Sequence, residues 1–218
     1  EFTVTLFKIC GLKDSQNAIV ARENGASFLG FVFVHGVKRE VSLDLAIRII
    51  DEYRYESGRG GPALVGLFAN QPIEEVNEII SECGLDYAQL CGEEDKSYWD
   101  EVNAEVIKQV KIDFGVNSKS INSDLDNIFG SGYIPLLDKY EKGTLGGTGK
   151  TFDWNVIGQF NLSGKFILAG GLTSKNVSQA IRVSRPWAVD VSTGVETDGA
   201  KDESKIFAFA AAVNDVKS

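Results

Sequence analysis

The 218-residue chain has few of the residues on which several kinds of site depend. It contains three cysteines, Cys10, Cys83 and Cys91, an odd number whose spacings fit neither a disulfide framework nor a zinc motif. Its one histidine is His35, so a hydrolytic triad would have to use that residue, and no G-x-S-x-G motif accompanies it. We therefore expect no metal site, reduced thiols and a cytoplasmic location.

Positive charge and long apolar runs are also scarce. The 22 Lys and Arg residues face 31 Asp and Glu residues, and the net charge of −9 argues against a nucleic-acid or anionic-membrane surface. No apolar run approaches the ~18 residues of a membrane span, and the N-terminus lacks the pattern of a signal peptide. Methionine is absent, even from the N-terminus, which fits a chain that is trimmed, tagged or cut from a longer polypeptide. An anionic ligand would have to be held by a local arrangement of groups.

Apolar, β-branched runs alternate with helical patterns along the whole chain. The patterns predict strands at 6–10, 27–34, 63–68, 85–90, 106–110, 133–137, 166–169 and 187–191. They predict helices at 15–24, 42–53, 72–83, 93–103, 174–183 and 201–213, an irregular stretch to about residue 129, and a helical turn near 154–160. This alternation is typical of parallel strands joined by right-handed crossovers. It predicts an α/β fold, a (β/α)8 TIM barrel in a single domain of residues 1–218. An open doubly wound sheet, the main alternative, usually has fewer strands.

The chemistry of a barrel gathers where its strands end, which directs the search for a site. Lys8 and Cys10 share a face of the first strand, with Cys10 uppermost. A thiol beside a cation can have a lowered pKa and act as a base or nucleophile, although a free cysteine is usually a small buried hydrophobe. After the second strand, Arg39 could bind a carboxylate with two hydrogen bonds or could be a solvated loop charge. We interpret His35 as structural or incidental.

Three later strand ends also carry polar groups. Gln89 and Cys91 share a face at the end of the fourth strand and could line a polar cavity or fill the barrel mouth. Asp138 ends the sixth strand, where a carboxylate needs partners or a function. The loop from 139 to 151 is rich in glycine and of a kind that often closes over substrates. Its Gly149-Lys150-Thr151 ending resembles a P-loop, but Thr144 stands where that motif needs glycine, so we expect no nucleotide triphosphate site.

The last two strand ends predict a phosphate site. The segments AGGL (169–172) and DVSTGV (190–195) place glycines where backbone N–H groups can approach a ligand closely. Barrels often bind phosphate between the loops after strands seven and eight.

Taken together, these segments resemble the phosphoribosylanthranilate isomerase family. The segments that carry the resemblance are KICGL (8–12), LGFVFV (29–34) with KR (38–39), VGLFANQP (65–72), DYAQLCGEE (86–94), PLLD (135–138), GGTGKTFDW (146–154), LAGGLTSKNV (168–177) and VDVSTGVE (189–196). They occur in order along nearly the whole chain, and their amino-acid sequences are most similar to those of fungal members.

The resemblance implies a cofactor-free Amadori rearrangement in tryptophan biosynthesis. The substrate would be N-(5-phosphoribosyl)anthranilate, a phosphorylated aminosugar, and the product 1-(2-carboxyphenylamino)-1-deoxyribulose 5-phosphate. By resemblance, Cys10 would be the general base and Asp138 the general acid, with Arg39 near the anthranilate carboxylate. The residues that would bind or cover the rest of the substrate are Gln89, Gly146, Gly147, Gly170, Gly171, Ser192, Thr193 and Gly194.

The chemistry sets demands on the two principal groups. Asp138 must keep a proton near neutral pH, which requires burial or closeness to the substrate's negative charge, because an ordinary Asp has a pKa of about 3.9. Cys10 must become a thiolate, and a modest lowering of its pKa by Lys8 would suffice. The chain has QLCG (89–92) where the family commonly has QLHG, so no role for that histidine carries over, and a second thiol could alter sensitivity to oxidation.

Three other functions remain as alternatives. The histidine-pathway isomerase uses aspartates in both roles, which Cys10 argues against. Indole-glycerol phosphate synthase has an N-terminal extension for which we expect no room here. A phosphate-binding barrel without activity is the third. From size, solubility and charge we expect a monomer that binds neither nucleic acid nor membrane.

Overall fold

Eight parallel strands close into a barrel in the computed structural model, which describes residues 4–58, 60–112, 118–139 and 153–217. Each strand pairs with the next along the chain, and the register of Leu6 with Ala188 closes the ring between β1 and β8. The strands are β1 (Leu6–Cys10), β2 (Phe28–Val32), β3 (Ala63–Phe68), β4 (Tyr87–Leu90), β5 (Glu105–Ile112), β6 (Ile134–Lys139), β7 (Ile167–Leu168) and β8 (Ala188–Val191). The predicted (β/α)8 barrel is therefore confirmed.

Helices connect the strands on the outside of the barrel. They are α1 (Ser15–Glu23), α2 (Leu43–Ser57), α3 (Ile73–Cys83), α4 (Lys96–Trp99), α5 (Ser118–Gly130), α6 (Val177–Ser184) and α7 (Glu203–Asn214), with 3-10 turns at Trp154–Gln159, Thr193–Val195 and Asp215–Lys217. Side-chain caps begin several of them: Asp14 accepts from the Asn17 N–H and Ser42 from the Leu45 N–H. No helix among the described residues is long and apolar enough to cross a membrane.

Two predicted segments were wrong. The helix expected at 93–103 is only the four residues of α4, capped by Asp95, because Trp99 is buried and the chain then turns into β5. The stretch expected to be irregular contains α5. Its Ser, Asn and Asp residues are poor helix formers, which hides it, whereas its buried Ile121, Leu125 and Ile128 have helical spacing.

The chain after β8 differs from the prediction in a way that matters for the site. Residues 201–213 were expected to be helical throughout, but α7 begins at Glu203. Before it, β9 (Glu196–Thr197) and β10 (Ala200–Lys201) form a small antiparallel hairpin. That hairpin directs two charged side chains to the barrel mouth.

The apolar core has two parts. One lies between the barrel and its helices, and the other fills the barrel with inward residues such as Phe28, Val65, Ile107, Leu136 and Ile167. Burial of each such side chain contributes about 1.5–3 kcal/mol. These apolar side chains fill the lower part of the barrel, so the polar inward residues lie toward the C-terminal ends of the strands. In (β/α)8 barrels the active site is found at this end. That all of residues 1–218 form one domain stays a prediction.

Candidate active site

The inward residues of β1 begin the site. Lys8 is fully buried, and its Nζ donates to Gln89 Oε1 on β4 and to Asp190 Oδ1 on β8, both at 3.0 Å. Burial, the largest single influence, opposes the positive charge, but Asp190 and Cys10 together outweigh it and raise the pKa of Lys8 above its ordinary value. A permanent cation therefore lies in the upper barrel.

Cys10 lies above Lys8 on the same face of β1 and is 4% exposed. Burial raises the pKa of its thiol, although Lys8 and Lys201 act to lower it. The expected net lowering by Lys8 was therefore wrong, because removal of a thiolate from water costs more than the cation returns. In the free protein Cys10 is a thiol, and a further positive charge is needed to ionise it near neutral pH.

Asp138 lies near the end of β6, on the inner face of the barrel. Burial, followed by the negative charge of Asp190, raises the pKa of its carboxyl group to about 6. Gln109 Nε2 on β5 donates to its Oδ2 at 2.8 Å and opposes the shift. The loop after β7 also lies against it, since a Cβ on Gly170 would be 3.2 Å from Asp138 Oδ1. A carboxyl group with this pKa can hold a proton and release it near neutral pH.

One ion pair influences both titratable groups. Lys8 lowers the pKa of Cys10 and of Asp138, whereas Asp190 raises both. The thiol and the carboxyl group are thus within electrostatic reach of the same two charges. The arrangement can move protons to and from a molecule bound above it.

Arg39 reaches the mouth from the loop after β2. It donates to Glu196 from Nε at 2.7 Å and from Nη2 at 2.8 Å. Gly11, with a φ of 80°, permits this approach, because a Cβ there would lie 2.5 Å from Arg39 Cδ. Arg39 is thereby held beside the residue that follows Cys10.

The loops after β7 and β8 are in direct contact. Gly170 and Gly171 have φ values of 90° and 66°, which glycine adopts without strain. A Cβ on Gly194 would overlap the carbonyl oxygen of Leu172, so only glycine lets the two backbones come so close. Ser192 and Thr193 precede it in the same short turn.

Gln89, Cys91 and His35 have other surroundings. Gln89 is buried, accepts from Lys8 and donates from Nε2 to Cys91 Sγ at 3.5 Å. Burial raises the pKa of Cys91 to about 12. His35 is exposed and lies between Glu40 and Glu75, at 3.0 and 3.2 Å.

Gly146 and Gly147, expected to cover the substrate, lie outside the described residues, as does the Gly149-Lys150-Thr151 ending. Within the described ranges, no group of three or more His, Cys, Asp or Glu residues could hold a metal ion.

Four polar residues of the site were missed from the sequence: Gln109, Asp190, Glu196 and Lys201. A signal for Asp190 existed, because it interrupts an apolar strand at an inward position, two residues after Ala188. For Glu196 and Lys201 no such signal existed, since their orientation depends on the β9–β10 hairpin.

Comparison with known proteins gives a consistent result. A family model described as N-(5'phosphoribosyl)anthranilate (PRA) isomerase matches residues 7–212. The chain is 38% identical to the N-(5'-phosphoribosyl)anthranilate isomerase of Dehalococcoides mccartyi, over 95% of each chain. It is 37% identical to the multifunctional tryptophan biosynthesis protein of Schizosaccharomyces pombe, over 97% of this chain and 30% of that protein.

Solved structures agree with these relatives. The crystal structure of phosphoribosyl anthranilate isomerase from Thermotoga maritima has a TM-score of 0.82 and 33% identity, over 97% of this chain and 99% of that one. The same coverage holds for a phosphoribosyl anthranilate isomerase in complex with reduced 1-(o-carboxyphenylamino)-1-deoxyribulose 5-phosphate (TM-score 0.79, 31% identity). It also holds for monomers generated from the dimeric Thermotoga maritima enzyme (TM-score 0.79, 32% identity).

Proposed function

The chain belongs to the N-(5'-phosphoribosyl)anthranilate isomerase family, and on that premise we propose that Cys10 and Asp138 are its general base and general acid. The protein is an isomerase of tryptophan biosynthesis. The reaction we propose is the Amadori rearrangement of N-(5-phosphoribosyl)anthranilate to 1-(2-carboxyphenylamino)-1-deoxyribulose 5-phosphate, without a cofactor. The observation that carries the proposal is the shared Lys8–Asp190 ion pair, which acts on both titratable groups.

Asp138 opens the sugar ring. In its protonated form it donates to the furanose oxygen while the C1–O bond breaks, and the nitrogen lone pair forms a C1=N iminium. The pKa of about 6 leaves a useful fraction protonated near neutral pH. Burial and Asp190 supply that pKa, and Gln109 holds the carboxyl group in place.

Cys10 then acts on carbon 2 of the opened sugar. The iminium is a positive charge, so it offsets the cost of a buried thiolate at the moment when the base is needed. The thiolate removes the C2 proton and the electron pair moves toward the iminium nitrogen. The Cys10 thiol then gives a proton to C1 and the Asp138 carboxylate takes the C2 hydroxyl proton, which completes the aminoketose and restores both groups to their starting forms. Each acid–base group supplies about 10²–10⁴-fold in rate.

Other residues would bind the two anionic ends of the substrate. Arg39 lies beside Gly11 and can donate to the anthranilate carboxylate. The contacting loops after β7 and β8, with Gly170, Gly171, Ser192, Thr193 and Gly194, can surround the phosphate with backbone N–H groups. Gln89 would act from below through its bond to Lys8, and Gly146 and Gly147 would cover the site.

Loss of fluorescence tests the function. Freshly prepared phosphoribosylanthranilate should lose its anthranilate fluorescence when the protein is added. Folded protein that leaves the fluorescence unchanged would contradict the proposal.

Three further properties are proposed on narrower grounds. A monomer is supported by the positions of the exposed Val4, Tyr55, Val183 and Phe207, which lie on four separate segments. Light scattering during gel filtration tests it, and a dimer would contradict it.

The three free thiols support a reducing, cytoplasmic compartment. A closer relation to the fungal members of the family is supported by the similarity to the Schizosaccharomyces pombe protein, although bacterial relatives are equally similar in sequence.

A further inference from the structure

Glu196 holds together two loops of the barrel mouth. Its carboxylate accepts from Arg39 Nε at 2.7 Å and Nη2 at 2.8 Å, and from Lys201 Nζ at 2.7 Å. The exposed fractions of the three side chains are 7% for Glu196, 18% for Arg39 and 3% for Lys201. A carboxylate so enclosed by two cations is fixed in position.

The pairing uses one particular edge of the guanidinium. Nε and Nη2 form a fork that matches the two carboxylate oxygens. The remaining hydrogens, on Nη1 and the outer side of Nη2, form a second fork. That fork can bind a second carboxylate without breaking the first pairing.

Lys201 anchors the other side of Glu196. Its Nζ also donates to the carbonyl oxygen of Ser192 at 3.0 Å and lies 3.4 Å from Ser192 Oγ. Glu196 therefore joins the β2 loop, which carries Arg39, to the β8 loop that the proposed function assigns to phosphate. The distance between a bound carboxylate and a bound phosphate would be set by this connection.

We propose that Glu196 is a positioning residue that orients Arg39 to recognise the carboxylate of the substrate's aromatic amine, a role that rests on the proposed function. Burial opposes the charge of Glu196, but the hydrogen bonds from Arg39 and Lys201 keep its pKa below the ordinary value. It therefore stays ionised wherever the enzyme works. Its effect is selectivity for an aryl amine that carries a carboxylate.

Two binding probes test this role without any need for turnover. One is the reduced product analogue, reduced 1-(o-carboxyphenylamino)-1-deoxyribulose 5-phosphate, and the other is the same compound without its carboxyl group. We expect the wild type to bind the carboxylated probe roughly 10- to 100-fold more tightly, the range for a charged hydrogen-bond pair. In Glu196→Ala this ratio should fall to within about threefold of unity, with the affinity for the second probe largely kept. In turnover the KM should rise with kcat little changed, because an oriented Arg39 binds substrate and transition state alike.

Two further variants complete the experiment. Glu94→Ala is the matched control, since it also removes a buried carboxylate, the partner of Lys108 at 2.8 Å, but does not touch Arg39. It should keep the wild-type ratio. Glu196→Gln keeps the shape and one acceptor of Glu196 and guards against misfolding of the alanine variant, and its ratio should fall at least threefold.

The outcomes are distinguishable. A wild-type ratio in a folded Glu196→Ala or Glu196→Gln protein would overturn the positioning role and leave the proposed function standing. An equal fall of the ratio in Glu94→Ala would overturn it as well, because general destabilisation would then explain the result. Wild-type protein that binds neither probe would overturn the proposed function and this inference with it.

Discussion

Lys8 Nζ donates to Asp190 Oδ1 over 3.0 Å, and this buried ion pair inside the barrel acts on both groups proposed to transfer protons. Its cation lowers the pKa of Cys10 and Asp138, and its anion raises both. The electric field that influences the protonation states of the two groups therefore comes from charges inside the barrel, where water does not screen it.

The first prediction concerns pH. The productive form carries a proton on Asp138 and none on Cys10. Below the Asp138 pKa of about 6 both groups are protonated, so kcat/KM should fall about tenfold per pH unit. Above the raised pKa of Cys10 both groups are deprotonated and kcat/KM should fall again. Between these limits the productive fraction is constant, and the profile should be flat.

Asp190→Asn makes that prediction specific. Removal of the negative charge takes away one cause of the raised Asp138 pKa, so the acidic limb should move to lower pH. The measurement is kcat/KM against pH for both proteins. An acidic limb that stays in place or moves upward would contradict the assignment.

The second prediction concerns the stability of the ion pair. Lys8→Met leaves Asp190 buried without its cation, and we expect a loss of about 3–5 kcal/mol in the free energy of unfolding. Lys8→Met with Asp190→Asn should recover much of that loss, because no unpaired charge remains. Urea denaturation of the three proteins measures both effects. Equal losses of unfolding free energy in the single and double variants would mean that Lys8 does not stabilise the buried charge of Asp190.

The third prediction concerns the contact between the last two loops. Gly194→Ala places a Cβ against the carbonyl oxygen of Leu172, so the loops must separate. We expect a rise in KM and a loss of about 1–3 kcal/mol in stability. Gly130→Ala is the control, since a Cβ there meets nothing within 4 Å, and it should stay within about 1 kcal/mol of wild type. An unchanged KM in Gly194→Ala would argue against phosphate binding at these loops.

The fourth prediction concerns the thiols. Burial raises the pKa of Cys10, of Cys83 to about 11 and of Cys91 to about 12, so none is a ready thiolate at pH 8. A thiol-specific chromogenic reagent should react slowly with the native protein. After denaturation it should react with all three cysteines. A native thiol that reacts as fast as free cysteine would contradict the described environments.

The sequence contained enough to predict the barrel and part of the site. Alternation of side chains along a strand placed Lys8 and Cys10 on one face, and the strand at Ala63–Phe68 was predicted with its observed bounds. Electrostatic balance was not predictable, since the burial that outweighs Lys8 at Cys10 comes from the whole closed barrel. The pairing of Arg39 with Glu196 was missed because the two residues are 157 positions apart in the chain. It also depends on the small β9–β10 hairpin, which orients Glu196 and whose strands have only two residues each.

The most direct test of the account is the rate constant kcat of Cys10→Ala and Asp138→Asn, measured with the affinity of each variant for the reduced product analogue. We expect each kcat to fall by about 10²–10⁴-fold while the analogue binds within severalfold of wild type, because the groups move protons and do not hold the ligand. A variant of either residue that turns over substrate at the wild-type rate would contradict the assignment of base and acid.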